Sequence, residues 1–210
     1  MNGDLIQGTD DWLLSRVGKV TASRMADLMA RTKSGWGASR GNYLAELLCE
    51  RLTGGCAPRF LNDAMRWGTE QEPFARQAYA QRFEDVLEVG FIDHPEIAMS
   101  GASPDGYVGT DGLVEIKAPN SATHIETLET RRIPEKYVLQ MTWQMACTGR
   151  AWCDFVSFDP RLPPSMQLFV QRVERDVSLV LELEHEVSAF LQELDAKVAR
   201  LRDLYERVAA

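Results

Sequence analysis

Two carboxylates and an amine stand ten to twelve residues apart in this chain: Asp105 in Ser103-Pro104-Asp105-Gly106, then Glu115 and Lys117 in Leu113-Val114-Glu115-Ile116-Lys117. Both stretches read as adjoining β-strands. In a hairpin the end of one strand lies beside the middle of the next, so Asp105 can meet Glu115 while Lys117, two residues on, points to the same face. Hard carboxylate oxygens bind Mg²⁺, and a lysine beside the ion can orient or deprotonate an attacking water; together they would hydrolyse a phosphodiester. On these residues alone a plainer reading stays open. Asp-Gly is a common turn dipeptide, and Val-Glu-Ile-Lys is equally an alternating strand with its charges in water.

The elements that must position these groups follow from periodicity. A short helix from Asp11 is stopped by Gly18, whose missing Cβ suits a left-handed end. Thr21 or Ser23 is placed to cap a next helix carrying Met25, Leu28 and Met29. With Arg16 just upstream, that helix start would cradle a phosphate; equally, Ser23 is a plain cap and Arg16 a solvated arginine. Residues 31–37 hold two bases and two glycines and read as a mobile loop. Tyr43, Leu44, Leu47, Leu48 and Leu52 mark a helix ended by Gly54-Gly55. Residues 64–79 mark a longer helix that starts or kinks at Pro73, with Glu72 read as a first-turn charge. Strands are expected over 86–92, 107–108, 113–117, 152–158 and 168–173. A polar linker leads into a helix over 134–149 that sets Gln140 and Gln144 one turn apart. From 176 to 208 one helical pattern spans roughly 50 Å at the helical rise. A helix of that length packs across the domain or engages another chain.

Composition narrows the class. A chain of 210 residues is long enough for one sizeable core. It has no run of eighteen apolar residues and no basic-then-apolar start, so the expectation is a cytosolic protein without a membrane span. Cys49, Cys56, Cys147 and Cys153 show no Cys-x-x-Cys pairing and are expected as small core hydrophobes, without zinc or disulfides. The net charge of −8 speaks against a polyanionic partner, but its distribution softens this. Arg16, Lys19, Arg24, Arg31, Lys33 and Arg40 face one acid, Asp27, across residues 12–40, whereas the end of the chain from Glu174 is acidic. An acidic total can hide a basic face.

Taken together, Arg16-x-Gly18-x-Val20-Thr21-Ala22-Ser23, Trp67-Gly68-x-x-x-Glu72, Ser103-Pro104-Asp105-Gly106, Glu115-Ile116-Lys117-x-Pro119, Tyr137-x-x-Gln140 and Phe158-Asp159-Pro160-Arg161 fall in a familiar order. The chain resembles the bacteriophage lambda exonuclease family, phage-type alkaline exonucleases also described as YqaJ-like recombinases, within the restriction-endonuclease-like superfamily. The resemblance implies an α/β fold: a restriction-endonuclease-like core with a central mixed β-sheet flanked by helices, in one nuclease domain over 1–210. The core would occupy about 12–175, and a long C-terminal helix 176–208.

By position, the resemblance makes Asp105, Glu115, Glu72 and the Ile116 carbonyl the Mg²⁺ ligands, with Mn²⁺ able to substitute. Lys117 would act on the water and Gln140 would help hold the site. Arg16, Ser23 and Ser103 would bind the terminal 5′-phosphate, Met65 would be an apolar wedge at the duplex end, and Lys33 would enter the minor groove. The implied activity is 5′-to-3′ digestion of the 5′-phosphorylated strand of linear double-stranded DNA to mononucleotides, leaving a 3′ overhang. A homotrimeric ring, a phage single-strand annealing protein as partner, and the cytoplasm of a bacterial host complete the expectation. Two rivals share the catalytic pattern: a restriction-type or structure-specific endonuclease, and a non-catalytic DNA-binding subunit of the same fold.

Overall fold

The computed structural model describes residues 5–56 and 62–206. Its main sheet is built around the chemistry-bearing hairpin. Strands β7 (Gly106–Val108) and β8 (Gly112–Lys117) pair antiparallel, with Gly106 opposite Val114. That register continues one step to set Asp105 opposite Glu115. Beyond β8 lies β9 (Trp152–Phe158), parallel to it, and then β10 (Leu168–Glu174), antiparallel; the short β4 (Val86–Leu87) closes the other edge against β7.

Alternation in β8 sorts its side chains onto two helical layers. Val114 and Ile116 pack with Ala75 and Tyr79 of α4 (Asp63–Ala80). Leu113 faces Met141 and Met145 of α6 (Glu135–Thr148). Glu115 and Lys117 share the parity of Leu113, so they emerge toward α6. With both faces covered, the strand is buried almost throughout. Gly106 is required where β4 crosses: a Cβ there would lie 2.1 Å from Val86 Cγ1.

A second layer joins the two ends of the chain. Here α1 (Asp10–Ser15), β1 (Val20–Thr21), a 3₁₀ turn (Ala22–Arg24) and α2 (Met25–Leu28) lead to the hairpin β2 (Arg31–Thr32) and β3 (Gly35–Trp36), then to α3 (Ala38–Thr53). A small sheet sets β1 parallel to β6 (Ser100–Ala102), flanked by β5 (Ile92–Asp93). The helix α7 (Val177–Tyr205) runs across this layer and buries Val180, Leu183, Val187, Phe190, Leu191 and Leu194 against it. It spans most of the expected helix; residues 207 and 208 lie outside the described ones. Among the described residues no helix is long and apolar enough to cross a membrane.

Several local expectations are corrected. Neither Thr21 nor Ser23 caps a helix through its side chain; Thr21 is in a strand and Ser23 in the 3₁₀ turn. Residues 31–36 form a hairpin in which Arg31 stacks on Trp36 and pairs with Glu186. The expected strand at 86–92 is two short strands in different sheets, and the linker contains a helix, α5 (Ser121–Thr130), capped by Asn120. Helix α4 passes through Pro73 unbroken, because Thr69, whose carbonyl the proline leaves unbonded, is exposed to water. Glu72 is therefore mid-helix, not in a first turn. Cys147 and Cys153 are buried, but Cys49 and Cys56 are exposed. The bases of residues 12–40 are also less available than their count suggests: Lys19, Arg24, Arg31 and Arg40 each pair with a carboxylate.

Candidate active site

Glu115 is fully buried, yet each of its oxygens has a donor. Gln140 Nε2 donates to Oε1 at 2.6 Å and Gln144 Nε2 to Oε2 at 2.5 Å, while Lys117 Nζ pairs with Oε1. The two glutamines lie one helical turn apart on α6, which is why both reach the same carboxylate. Asp105, just before β7, accepts the Ile116 backbone N–H through Oδ2 at 2.6 Å. Glu72 arrives from α4 on the other side of the sheet end, held by Arg76, which also pairs with Glu88. Asp105, Glu72, Ile116 and Lys117 line one cleft of about 850 Å³, together with Met65, Trp67, Tyr137 and Arg161.

Charge is concentrated on this cleft. Burial, reinforced by the neighbouring Glu115 charge, pushes the Asp105 carboxyl well above the usual carboxylate range. Burial raises Glu72 as well; Arg76 opposes the shift and Glu115 adds to it. Burial alone would lower the Lys117 ammonium, but the charges of Glu115 and Asp105 outweigh it and hold Lys117 protonated. Three carboxyl groups thus crowd against two cations, Lys117 and Arg76. The three carboxyl groups, with their all-oxygen donor chemistry, fit a hard divalent cation. In the arrangement described, Glu115 is engaged by its nitrogen donors. Among the described residues no three His, Cys, Asp or Glu side chains already converge as a metal cluster.

A second cavity, of about 300 Å³, lies beside the cleft; Arg16, Lys19, Thr21, Ser23 and Arg24 line it, together with the carboxylates of Glu46 and Glu50. Arg16 stacks on Trp12, its guanidinium carbon 4.1 Å from the ring centroid. The Trp12 indole N–H donates to Ser103 Oγ at 3.0 Å. Ser103 is thereby tied to Arg16 through Trp12, although it does not line the cavity itself. Met65 lines both the cavity and the cleft.

The model of the YqaJ-like viral recombinase domain matches residues 11–151, about two-thirds of the chain and every acidic residue of the cleft. The chain belongs to the YqaJ-like viral recombinase family. This recombinase-family chain is also similar to a solved alkaline exonuclease, LHK-Exo from Laribacter hongkongensis, at 55% identity and a TM-score of 0.89, covering 95% of this chain and 100% of that one. The same neighbour in complex with dAMP aligns equally well. A phage-related exonuclease from Haemophilus somnus 129PT shares the fold, with a TM-score of 0.71 at 17% identity, covering 87% of this chain and 96% of that one. No curated protein matches. The fold is thus the restriction-endonuclease-like one, and the YqaJ-like chain is an exonuclease of a kind that depends on a metal.

Against this family frame, the structure gathers Asp105, Glu115, Ile116, Lys117, Glu72 and Gln140 at one sheet end, and Arg16 and Ser23 at the neighbouring cavity. Lys33 stands apart: it is exposed at the tip of the β2–β3 hairpin and lines neither space. Gln144, placed one turn from Gln140, receives no role in the sequence reading, nor do Arg76 and Trp12. The i, i+4 spacing of Gln140 and Gln144 was a signal for the first. Arg76 stands one turn after Glu72 and was a weaker signal. Trp12 gave none, because its partner Ser103 is 91 residues away.

Proposed function

We propose that this YqaJ-family nuclease is a Mg²⁺-dependent exonuclease that digests the 5′-phosphorylated strand of linear double-stranded DNA from 5′ to 3′, releasing mononucleotides and leaving a 3′ overhang. The observation that carries this reading is the adjacency of the carboxylate-bearing cleft and the cavity that holds Arg16 and Ser23, with Met65 common to both. A terminal phosphate seated among Arg16 and Ser23, with Ser103 held close through Trp12, would register the next phosphodiester at the cleft. Met65, about half exposed, would part the terminal base pair between them. The complex of LHK-Exo with dAMP supports a deoxynucleoside monophosphate as product.

Asp105, Glu115, Glu72 and the Ile116 carbonyl would hold the ion, which when bound would supply Lewis-acid stabilisation of the charge on the phosphoryl oxygens and on the leaving oxygen. Gln140 and Gln144 keep Glu115 aimed. Lys117, held as an ammonium, orients the attacking water and offsets negative charge; a proton-abstracting role would require its pKa to fall. The exposed Lys33 would touch the duplex flank outside the cleft. In our reading the enzyme works as a trimeric ring in the bacterial cytoplasm and hands the exposed strand to a phage single-strand annealing protein.

The test offers linear duplexes with 5′-phosphate or 5′-hydroxyl ends and a closed circle, with Mg²⁺, Mn²⁺ or EDTA. Mononucleotides should appear fastest from the phosphorylated linear duplex with either metal, and not with EDTA. Glu115→Ala and Lys117→Ala should abolish hydrolysis while retaining duplex binding. Cleavage of the circle would identify an endonuclease instead, and equal rates on both ends would remove the phosphate cradle.

A further inference from the structure

The turn after β9, Phe158-Asp159-Pro160-Arg161, has no part in the roles above, yet it delivers a cation to the cleft. Lys117 is in register with Ser157 across the parallel β8–β9 pair, so the turn two residues further on leaves the sheet at the same end as the acidic cluster. Arg161 lines the cleft with a half-exposed side chain. Its position is fixed from behind. Asp159, fully buried, accepts Arg161 Nε at 2.6 Å through Oδ1 and Nη2 at 3.0 Å through Oδ2, and also accepts the Arg161 backbone N–H at 3.0 Å. Nη2 donates as well to the Pro119 carbonyl at 3.1 Å. The guanidinium lies over the Trp67 indole, 4.5 Å from its centroid. Three of the five guanidinium N–H groups are thereby directed into the protein. The two on Nη1 have no protein partner among the described residues.

We propose that Arg161, braced by Asp159 and stacked on Trp67, is a binding subsite for a backbone phosphate of the DNA strand lying in the cleft, engaged through Nη1. This rests on the nuclease function proposed above and deepens it. The chemistry favours a phosphate. A guanidinium whose rotamer is already locked loses little freedom on binding, and its planar donors match phosphate oxygens. The Trp67 ring behind the cation holds it in place by a cation–π contact. An arginine serving only to neutralise Asp159 would have no need of a second aromatic support or of an open donor edge on a residue that lines the cleft. Lys136, on the Tyr137 ring at the same rim, adds positive charge along the cleft.

The experiment uses the full chain. Binding of a 5′-phosphorylated linear duplex is titrated in EDTA over a range of salt, and steady-state hydrolysis is measured with Mg²⁺. For Arg161→Gln the slope of log K against log salt should shrink by about 0.7 to 0.9, the contribution of one phosphate contact. KM should rise about tenfold with a smaller change in kcat. Arg161→Lys, which keeps the charge, should restore the slope but not the full affinity. Trp67→Leu leaves the Asp159 pair intact and should weaken binding several-fold with the slope unchanged, so this variant still tests the subsite if Arg161→Gln does not fold. An unchanged slope and KM in Arg161→Gln, with only a lowered thermal midpoint, would reduce Arg161 to a partner of Asp159 and overturn the proposal. If the wild-type chain hydrolyses no linear duplex, the nuclease function fails first; if it hydrolyses normally and the Arg161 variants match it, only this subsite fails.

Discussion

Replacing Gln144 by leucine tests whether Glu115 is held as a hydrogen-bonded anion inside the protein. Both residues are fully buried, and Gln144 Nε2 is the donor to Glu115 Oε2 at 2.5 Å. Leucine keeps most of the side-chain volume and removes the donor. A hydrogen bond to a charged group contributes about 1.5–3 kcal/mol, and a buried acceptor left without a partner bears its full desolvation cost. Gln140 and Lys117 still serve the other oxygen, so the expected loss is roughly 2–3 kcal/mol rather than more. For a chain of this length that lowers the thermal midpoint by about 4–12 °C. Urea unfolding of Gln144→Leu, Glu115→Leu and the double variant isolates the pair. Once the carboxylate is gone the leucine at 144 should cost little, giving a coupling of about 1–3 kcal/mol. Additive effects within about 0.5 kcal/mol, or a Gln144→Leu variant as stable as the wild type, would refute the claim that α6 solvates the Glu115 anion.

Two further outcomes follow from the same structure. Burial would raise the Asp159 carboxyl, but hydrogen bonds from the Arg161 side chain, Ser121 and the Arg161 backbone outweigh it and bring it down from 3.8 to about 2. The folded-state value is depressed, so this stabilisation is present above about pH 4 and is lost as pH falls through about 2; it amounts to roughly 2 kcal/mol. The stability gap between wild type and Asp159→Asn, read from urea midpoints, should narrow across that window, and a gap independent of pH would contradict it. Gly106→Ala drives a methyl into Val86, so it should destabilise by about 1–3 kcal/mol and loosen β4 at the hairpin. A paired Val86→Ala change should recover part of the loss, measured by thermal unfolding.

The hairpin was legible in the sequence because a period of two and a tight turn fix register locally, which allowed Asp105 to lie opposite Glu115. The long helices were legible for the same reason at a period of 3.6. What escaped depended on distant partners. Residues 31–37 read as a loop from their glycines; Arg31 is engaged by Trp36 and by Glu186, 155 residues on, and no local pattern encodes the second contact. The linker hid α5, whose short amphipathic pattern depends on His124 being buried between Ser157 and the Met166 carbonyl. The basic stretch was read as an open face because its partners, Glu46, Asp93, Glu186 and Glu193, are scattered along the chain. Exposed Cys49 shows the converse limit: hydrophobic character alone does not say which side of α3 a residue occupies.

The position of α7 has a consequence for how the protein is made. Phe190 stacks on Tyr43, whose hydroxyl accepts the Thr21 N–H and which lines the cavity of Arg16 and Ser23. Glu193 and Asp195 pair with Arg40 and Arg51 of α3. Because α7 follows every cleft residue in the chain, it is made after them, and the cavity formed by much earlier residues still lacks a wall until α7 docks. A chain ended by a stop codon before Val177 would carry all the cleft carboxylates and still lack the packing behind Tyr43.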